Sequence, residues 1–293
     1  MTAPGKGLTT ETVRVGDQNL RIGRRPGEPG RPPLLLCNGI GVGLEVLRPF
    51  TDALDPAVGI VAFDVPGIGG SPLPRRPYRF PGLARLTADL VRQLGHPRFD
   101  VLGISWGGGL AQQIALQNPR RCRRVVLVST ATGALMVPAR PRVLMTMASP
   151  RRHRDAAHLR AVAGDIYGGR IRSEPHLVDG LVANRTGPVS RRGYLYQLLG
   201  GAGWTSLPLL PMIRQPTLVL AGDDDPIIPL ANAHLMTRLL PRARLHVYHD
   251  GHVALLTNAG ELAPVVARFL REDRERDLGD AADRPGAGPT RPG

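Results

Sequence analysis

Short runs of β-branched and leucine-rich residues recur along the chain, separated by amphipathic stretches. The runs cover residues 33–37, 58–63, 99–104, 124–128, 216–221 and 244–248. Most are nearly continuous in apolar residues, the pattern of strands covered on both faces. Between them, residues 83–94, 107–117, 230–240 and 262–270 have helical spacing. The first of these puts Leu83, Leu86, Leu90 and Val91 on one face, and Pro119 ends the second because proline cannot continue a helical ladder. Strand and helix in alternation predict an α/β domain with a mainly parallel central sheet and helices on both faces. Two antiparallel strands, around residues 11–15 and 19–23, precede it across a Gly16-Asp17 turn.

The alternation breaks over residues 132–213. That stretch holds Met136, Met145 and Met147, then helical patterns, and it is too long for a loop and too apolar for disorder. It is expected to be a helical cap inserted into the domain, over the C-terminal edge of the sheet. The main domain then spans residues 1–273. Residues 274–293, charged and then rich in Pro and Gly, read as a disordered tail.

Composition changes this picture little. Hydrophobic residues make up 42% of the 293 and charged residues 21%, enough apolar material for a large core. The net charge of +14 suggests a nucleic-acid binder, but Lys6 is the only lysine and the arginines are scattered. No aromatic-interleaved basic stripe accompanies them, so no nucleic-acid partner is expected. Cys37 and Cys122 adjoin apolar runs and read as buried free thiols, with no metal-ligand spacing. The N-terminus lacks the apolar core of a secretory signal, and no run is long enough to span a bilayer, so a cytoplasmic protein is expected.

Candidate chemistry centres on Gly103-Ile104-Ser105-Trp106-Gly107, which fits G-x-S-x-G. A serine on a sharp strand-to-helix turn projects its hydroxyl above a sheet, and glycines two residues away avoid a clash with that strained backbone. An apolar strand precedes the motif and an Ala/Gln/Leu helix follows it. Of eight histidines, His252 follows the run 244–248 after Gly251, where the last strand delivers a side chain to the active edge. His249 is its rival, nearer the strand end. Among Asp223, Asp224 and Asp225, the choice is Asp225, held extended by Pro226, with its neighbours as turn or capping residues. The order Ser105, Asp225, His252 matches the fold inferred from the alternation. Backbone N–H groups of Trp106 and Ile40 are the candidates for an oxyanion hole, Gly39 letting the second approach. The glycine-rich residues 64–71 lead into no phosphate-binding helix and carry no nucleotide reading.

With strand, elbow, acid and histidine placed, the chain resembles an α/β-hydrolase. More narrowly it is similar to the intracellular depolymerases of medium-chain-length polyhydroxyalkanoates. The segments that carry this are CNGIGVGLEVLRPF, AFDVPGIGGSPLPRRPYRFPGLARLTADL, GISWGGGLAQQIA, MASPRR, IYGG, GWTSLPLL and PTLVLAGDDDPIIPL. Trp106 and Asn38 are its more specific marks. The resemblance implies Ser105 as nucleophile, Asp225 as acid and His252 as base. It implies a polyester of 3-hydroxy fatty acids, stored as granules, as substrate, and no cofactor or metal. Met136, Leu144, Met145 and Trp204 in the cap either line an apolar slot for alkyl chains or form the cap's own small core. Two other readings stay open: a carboxylesterase or lipase for small soluble esters, and a non-catalytic ligand-binding or granule-associated protein.

Overall fold

A computed structural model of the chain describes residues 7–149, 151–184 and 190–272. The proposed tail, residues 274–293, lies outside the described residues. Eight strands form one sheet in the order β1-β2-β4-β3-β5-β6-β7-β8. β1 (Thr9–Val15) and β2 (Gln18–Arg25) make the expected antiparallel hairpin, and β2 pairs antiparallel with β4 (Ile60–Phe63). From there β3 (Leu34–Cys37), β5 (Phe99–Ile104), β6 (Cys122–Val128), β7 (Thr217–Gly222) and β8 (Ala243–Tyr248) continue in parallel.

Continuous apolar runs are needed because each strand feeds two cores. Successive side chains leave a strand on opposite faces. Leu35, Cys37, Val61, Val101, Val125 and Val219 enter one cluster, with residues of α2 (Phe80–Gln93), α3 (Trp106–Gln117) and α10 (Ala231–Leu239). Leu34, Leu36, Ile60, Leu102, Val126 and Leu218 enter the other, with α1 (Arg48–Ala53), α11 (Ala254–Thr257) and α12 (Ala259–Arg271). The edge strand β8 is covered less well and keeps Val247 exposed. α2 starts three residues ahead of the expected boundary, at Phe80, with proline in its first turn. Pro is suited to that position, where its missing N–H costs nothing.

Between β6 and β7 the chain builds the cap: α4 (Pro141–Ala148), α5 (Arg151–Arg154), α6 (Ala156–Tyr167), α7 (Gly169–Ser173), α8 (Leu177–Ala183) and α9 (Arg191–Gly201). Val143, Leu159, Ala163, Ile166, Ile171 and Val178 pack in a core of its own. Residues of three cap helices, Met147, Tyr167 and Leu181, line a cleft that contains Ser105.

Candidate active site

Ser105 sits between β5 and α3 with φ 55° and ψ −121°, a backbone that L-residues rarely adopt. Its neighbours explain how the turn closes. A Cβ on Gly103 would lie 2.2 Å from the Gly107 carbonyl oxygen, and one on Gly107 2.1 Å from that of Cys37. Both glycines are therefore dictated by backbone contact. The turn is pinned by Ser105 N–H donating to Val128 O (2.9 Å) and Thr130 Oγ1 donating to Ser105 O (2.7 Å).

The three predicted side chains meet. His252 Nε2 lies 3.0 Å from Ser105 Oγ, and His252 Nδ1 2.8 Å from Asp225 Oδ2. The other Asp225 oxygen accepts from the N–H groups of Ile227 and Ile228, both at 2.9 Å. Asp225 and His252 are buried, so this chain of hydrogen bonds is shielded from water. The adjacent aspartates are used elsewhere. Asp223 pairs with the exposed His249 at 2.5 Å, which takes the rival histidine out of the site. Asp224 accepts from Gly169 N–H (2.8 Å) and pairs with Arg172.

The histidine loop is hooked to the cap. His252 N–H donates to Tyr167 O (2.7 Å), and a Cβ on Gly251 would lie 1.9 Å from that same oxygen. Buried Asp250 accepts from Gly251 N–H (2.7 Å), Arg170 N–H (2.8 Å) and Thr257 Oγ1 (3.1 Å). Across the site, Ile40 lines the same cleft as Ser105 and His252. Among the described residues, the Ile40 and Trp106 N–H groups have no hydrogen-bond acceptor. For Trp106 that is the ordinary state of a first helical residue, whose N–H has no partner within the helix. The loop around Ile40 is held by Asn38, whose Nδ2 donates to Gly43 O (2.6 Å), and by Gln197 from the cap. The Gln197 Oε1 accepts from Gly41 N–H (2.7 Å), while its carbonyl accepts from Trp106 Nε1 (3.0 Å).

Two clefts flank the serine. One includes Ile40, Val46, Met147, Leu181, His252 and Leu256. The other includes Phe80, Trp106, Met136, Trp204 and Ile228. Phe80 packs edge-on against both tryptophans, with ring centroids 4.8 and 4.9 Å apart. Met136 and Trp204 thus stand beside Ser105. Leu144 and Met145 do not: they are exposed and line neither cleft. On α4, Val143 and Met147 lie one turn apart and face inward, which turns Leu144 and Met145 outward. No motif marks Gln197 or Asp250. Gln197 offers one sequence cue, a single amide in the apolar run YLYQLL.

The glycine-rich stretch after β4 is a structural brace. Asp64 accepts from Leu44 N–H (2.7 Å) and Gly70 N–H (2.8 Å) and pairs with Arg21 (3.2 Å). Burial pushes its carboxyl up, and the two N–H donors oppose that shift.

The α/β-hydrolase fold family matches residues 32–259. This chain belongs to the α/β-hydrolase family. It is 50% identical over 265 residues to a poly(3-hydroxyalkanoate) depolymerase of Ectopseudomonas oleovorans, covering 90% of this chain and 93% of that relative. A pimeloyl-[acyl-carrier protein] methyl ester esterase of Aromatoleum aromaticum is 29% identical, over 82% of this chain and 99% of its own. Among solved structures, the enol-lactonase from Burkholderia xenovorans LB400 superposes with a TM-score of 0.77 at 23% identity, over 89% of this chain and 100% of that one, and shares the fold.

Proposed function

We propose that this α/β-hydrolase cleaves the ester bonds of medium-chain-length poly(3-hydroxyalkanoate), releasing 3-hydroxyalkanoic acids or oligomers through an acyl-enzyme. The observation that carries the substrate is the 50% identity to a poly(3-hydroxyalkanoate) depolymerase over nearly the whole of both chains. The contacts of Ser105, His252 and Asp225 support the chemistry. A cytoplasmic setting and the surface of stored polymer granules belong to the same proposal.

In this reading His252 Nε2 takes the Ser105 proton as Oγ attacks the ester carbonyl carbon. The carbonyl π pair moves onto oxygen, and the N–H groups of Trp106 and Ile40 stabilise that charge. Asp225 holds the imidazole with Nδ1–H toward itself and stabilises the imidazolium. The tetrahedral centre collapses, and the ester C–O bond breaks. His252 gives its proton to the departing alkoxide, which leaves as the hydroxyl end of the next unit. Water then attacks the acyl-enzyme with His252 again as base, and Ser105 regains its proton.

The test is titration of acid released from two amorphous polyester emulsions, one with medium-length alkyl side chains and one with methyl side chains. Release from the medium-chain polymer alone is expected. Ser105→Ala should fold normally and lose turnover by a factor on the order of 10³ or more. No release from either emulsion by the wild type, with p-nitrophenyl octanoate still hydrolysed, would leave a serine esterase without this substrate. Retained hydrolysis in a clean Ser105→Ala preparation would remove Ser105 from the chemistry.

A further inference from the structure

A surface helix ordinarily turns its apolar stripe inward and its polar face to water. The cap helix α9 is apolar both ways. Its inner face, Tyr194, Tyr196 and Gln197 with two glycines, is buried against the site loops. Its outer face exposes Leu195, Leu198 and Leu199, behind Arg191 and Arg192 in the first turn. Leu195 is 49% exposed on a face with no protein to cover it among the described residues.

The loop of residues 72–79 runs beside α9 and extends this face. At one end, a Cβ on Gly67 would meet both Leu73 and the Gly193 backbone within 3.0 Å. At the other, Arg79 Nη1 donates to Leu199 O (3.0 Å) and Ala202 O (2.7 Å), closing the helix C-terminus. Leu73, Arg75 and Arg76 are exposed on this loop, which is anchored to α9 at both ends. Arg75, Arg76, Arg191 and Arg192 form no ion pair among the described residues, whereas Arg21, Arg123 and Arg170 each have a carboxylate partner. The two segments cannot supply one. The chain has no Asp or Glu between Asp64 and Asp89, or between Asp179 and Asp223.

We propose that the outer face of α9 and the adjoining 72–79 loop dock the protein on an anionic lipid surface. Leucines that enter the acyl boundary, flanked by arginines that meet headgroup phosphates, are what such a surface binds. A nucleic acid would use the arginines but gain nothing from exposed leucines, and this face offers no exposed aromatic ring for base stacking. A bare polyester would use the leucines but not the charge. The face also adjoins an entrance to the site. Gly201, the last residue of α9, lines the cleft of Trp106 and Trp204, and exposed Leu135 stands at the next turn, where Ala134 N–H donates to Trp204 O (2.8 Å). Docking in this orientation turns that cleft toward the lipid.

The test is flotation of the full chain with vesicles of phosphatidylglycerol and phosphatidylcholine in equal parts, against vesicles of phosphatidylcholine alone. Binding to the anionic vesicles is expected to be at least about tenfold tighter, and to weaken as salt rises from about 0.1 M to about 0.5 M. The quadruple variant Arg75→Gln/Arg76→Gln/Arg191→Gln/Arg192→Gln should lose about tenfold or more of that binding. Leu195→Gln/Leu198→Gln should lower it at every salt concentration. Both should hydrolyse soluble p-nitrophenyl butyrate as the wild type does, which certifies their folding. Equal binding to both vesicle types, wild-type binding by the quadruple variant, or binding to a polyester emulsion but to no vesicle would each overturn the proposal. It does not rest on the polyester reading: a chain that floats with anionic vesicles yet releases no acid from polyester keeps this surface and loses that substrate.

Discussion

At the scale of single residues, what adds to the hydrogen-bonded Ser105, His252 and Asp225 is Gln197. Its side chain is fully buried, and its Oε1 holds the Gly41 N–H one residue from the proposed oxyanion donor Ile40. Its Nε2 is buried with no partner among the described residues, so the amide stays in place against a desolvation cost. In the proposed mechanism such a residue acts through the loop, as a positioning residue. Gln197→Ala frees the Gly41 N–H and lets Ile40 drift from the point where charge develops. We expect kcat and kcat/KM for p-nitrophenyl octanoate to fall together by about tenfold, the equivalent of about 1.4 kcal/mol, with KM and the pH profile unchanged. A rise in KM alone would assign Gln197 to substrate binding. This residue also marks where sequence reading stops. Ser105, Asp225 and His252 are legible because the chemistry restricts residue type, flanking glycines and chain order together. A lone amide in a helix carries no such restriction, since its value depends on a loop 156 residues away.

At the scale of elements, legibility follows burial. The strands read clearly because a sheet packed on both faces demands nearly unbroken apolar runs, as in β3 and β4, where all four residues of each are apolar and buried. α1 has six residues, too few to display a period. In the cap, residue type is visible but helix register is not, so the pattern alone does not separate the outward Leu144 and Met145 from the inward Met147. The strands also set the alkaline limit of stability. Cys37 in β3 and Cys122 in β6 are fully buried free thiols, and burial holds both well above their ordinary titration range. In the unfolded chain they ionise near pH 8.5. Above that pH the folded state binds more protons than the unfolded state, so stability falls as pH rises. Each thiol contributes a slope of about 1.4 kcal/mol per pH unit until its folded-state titration is reached. Denaturant unfolding between pH 8 and about 10 should show this decline, and Cys37→Ala should reduce its slope by about half whatever it does to stability at pH 7. An unchanged slope would show that the thiolate is tolerated inside the sheet.

At the scale of the whole molecule, the sheet edge supplies the serine and the cap supplies walls on both sides of it. The two clefts are not equivalent. His252 lines only the cleft of Met147 and Leu181, whereas the cleft of Phe80, Met136 and Trp204 contains no histidine. In the proposed mechanism the leaving oxygen receives its proton from His252 Nε2, which would put the alcohol side of the ester in the first cleft. The acyl chain then extends the other way, over Trp106 toward Met136 and Trp204, where apolar walls meet an alkyl chain. An octanoyl group carries four more methylenes than a butanoyl group, at about 0.8 kcal/mol each when fully buried, or about 3 kcal/mol in all. Met136→Trp, which narrows that cleft, should therefore reduce kcat/KM for p-nitrophenyl octanoate relative to butanoate by about tenfold or more. Met147→Trp should leave that ratio near its wild-type value and instead slow esters of bulky alcohols. If Met147→Trp moves the acyl-length ratio and Met136→Trp does not, the two clefts exchange roles, and polymer would thread past Ser105 in the opposite direction.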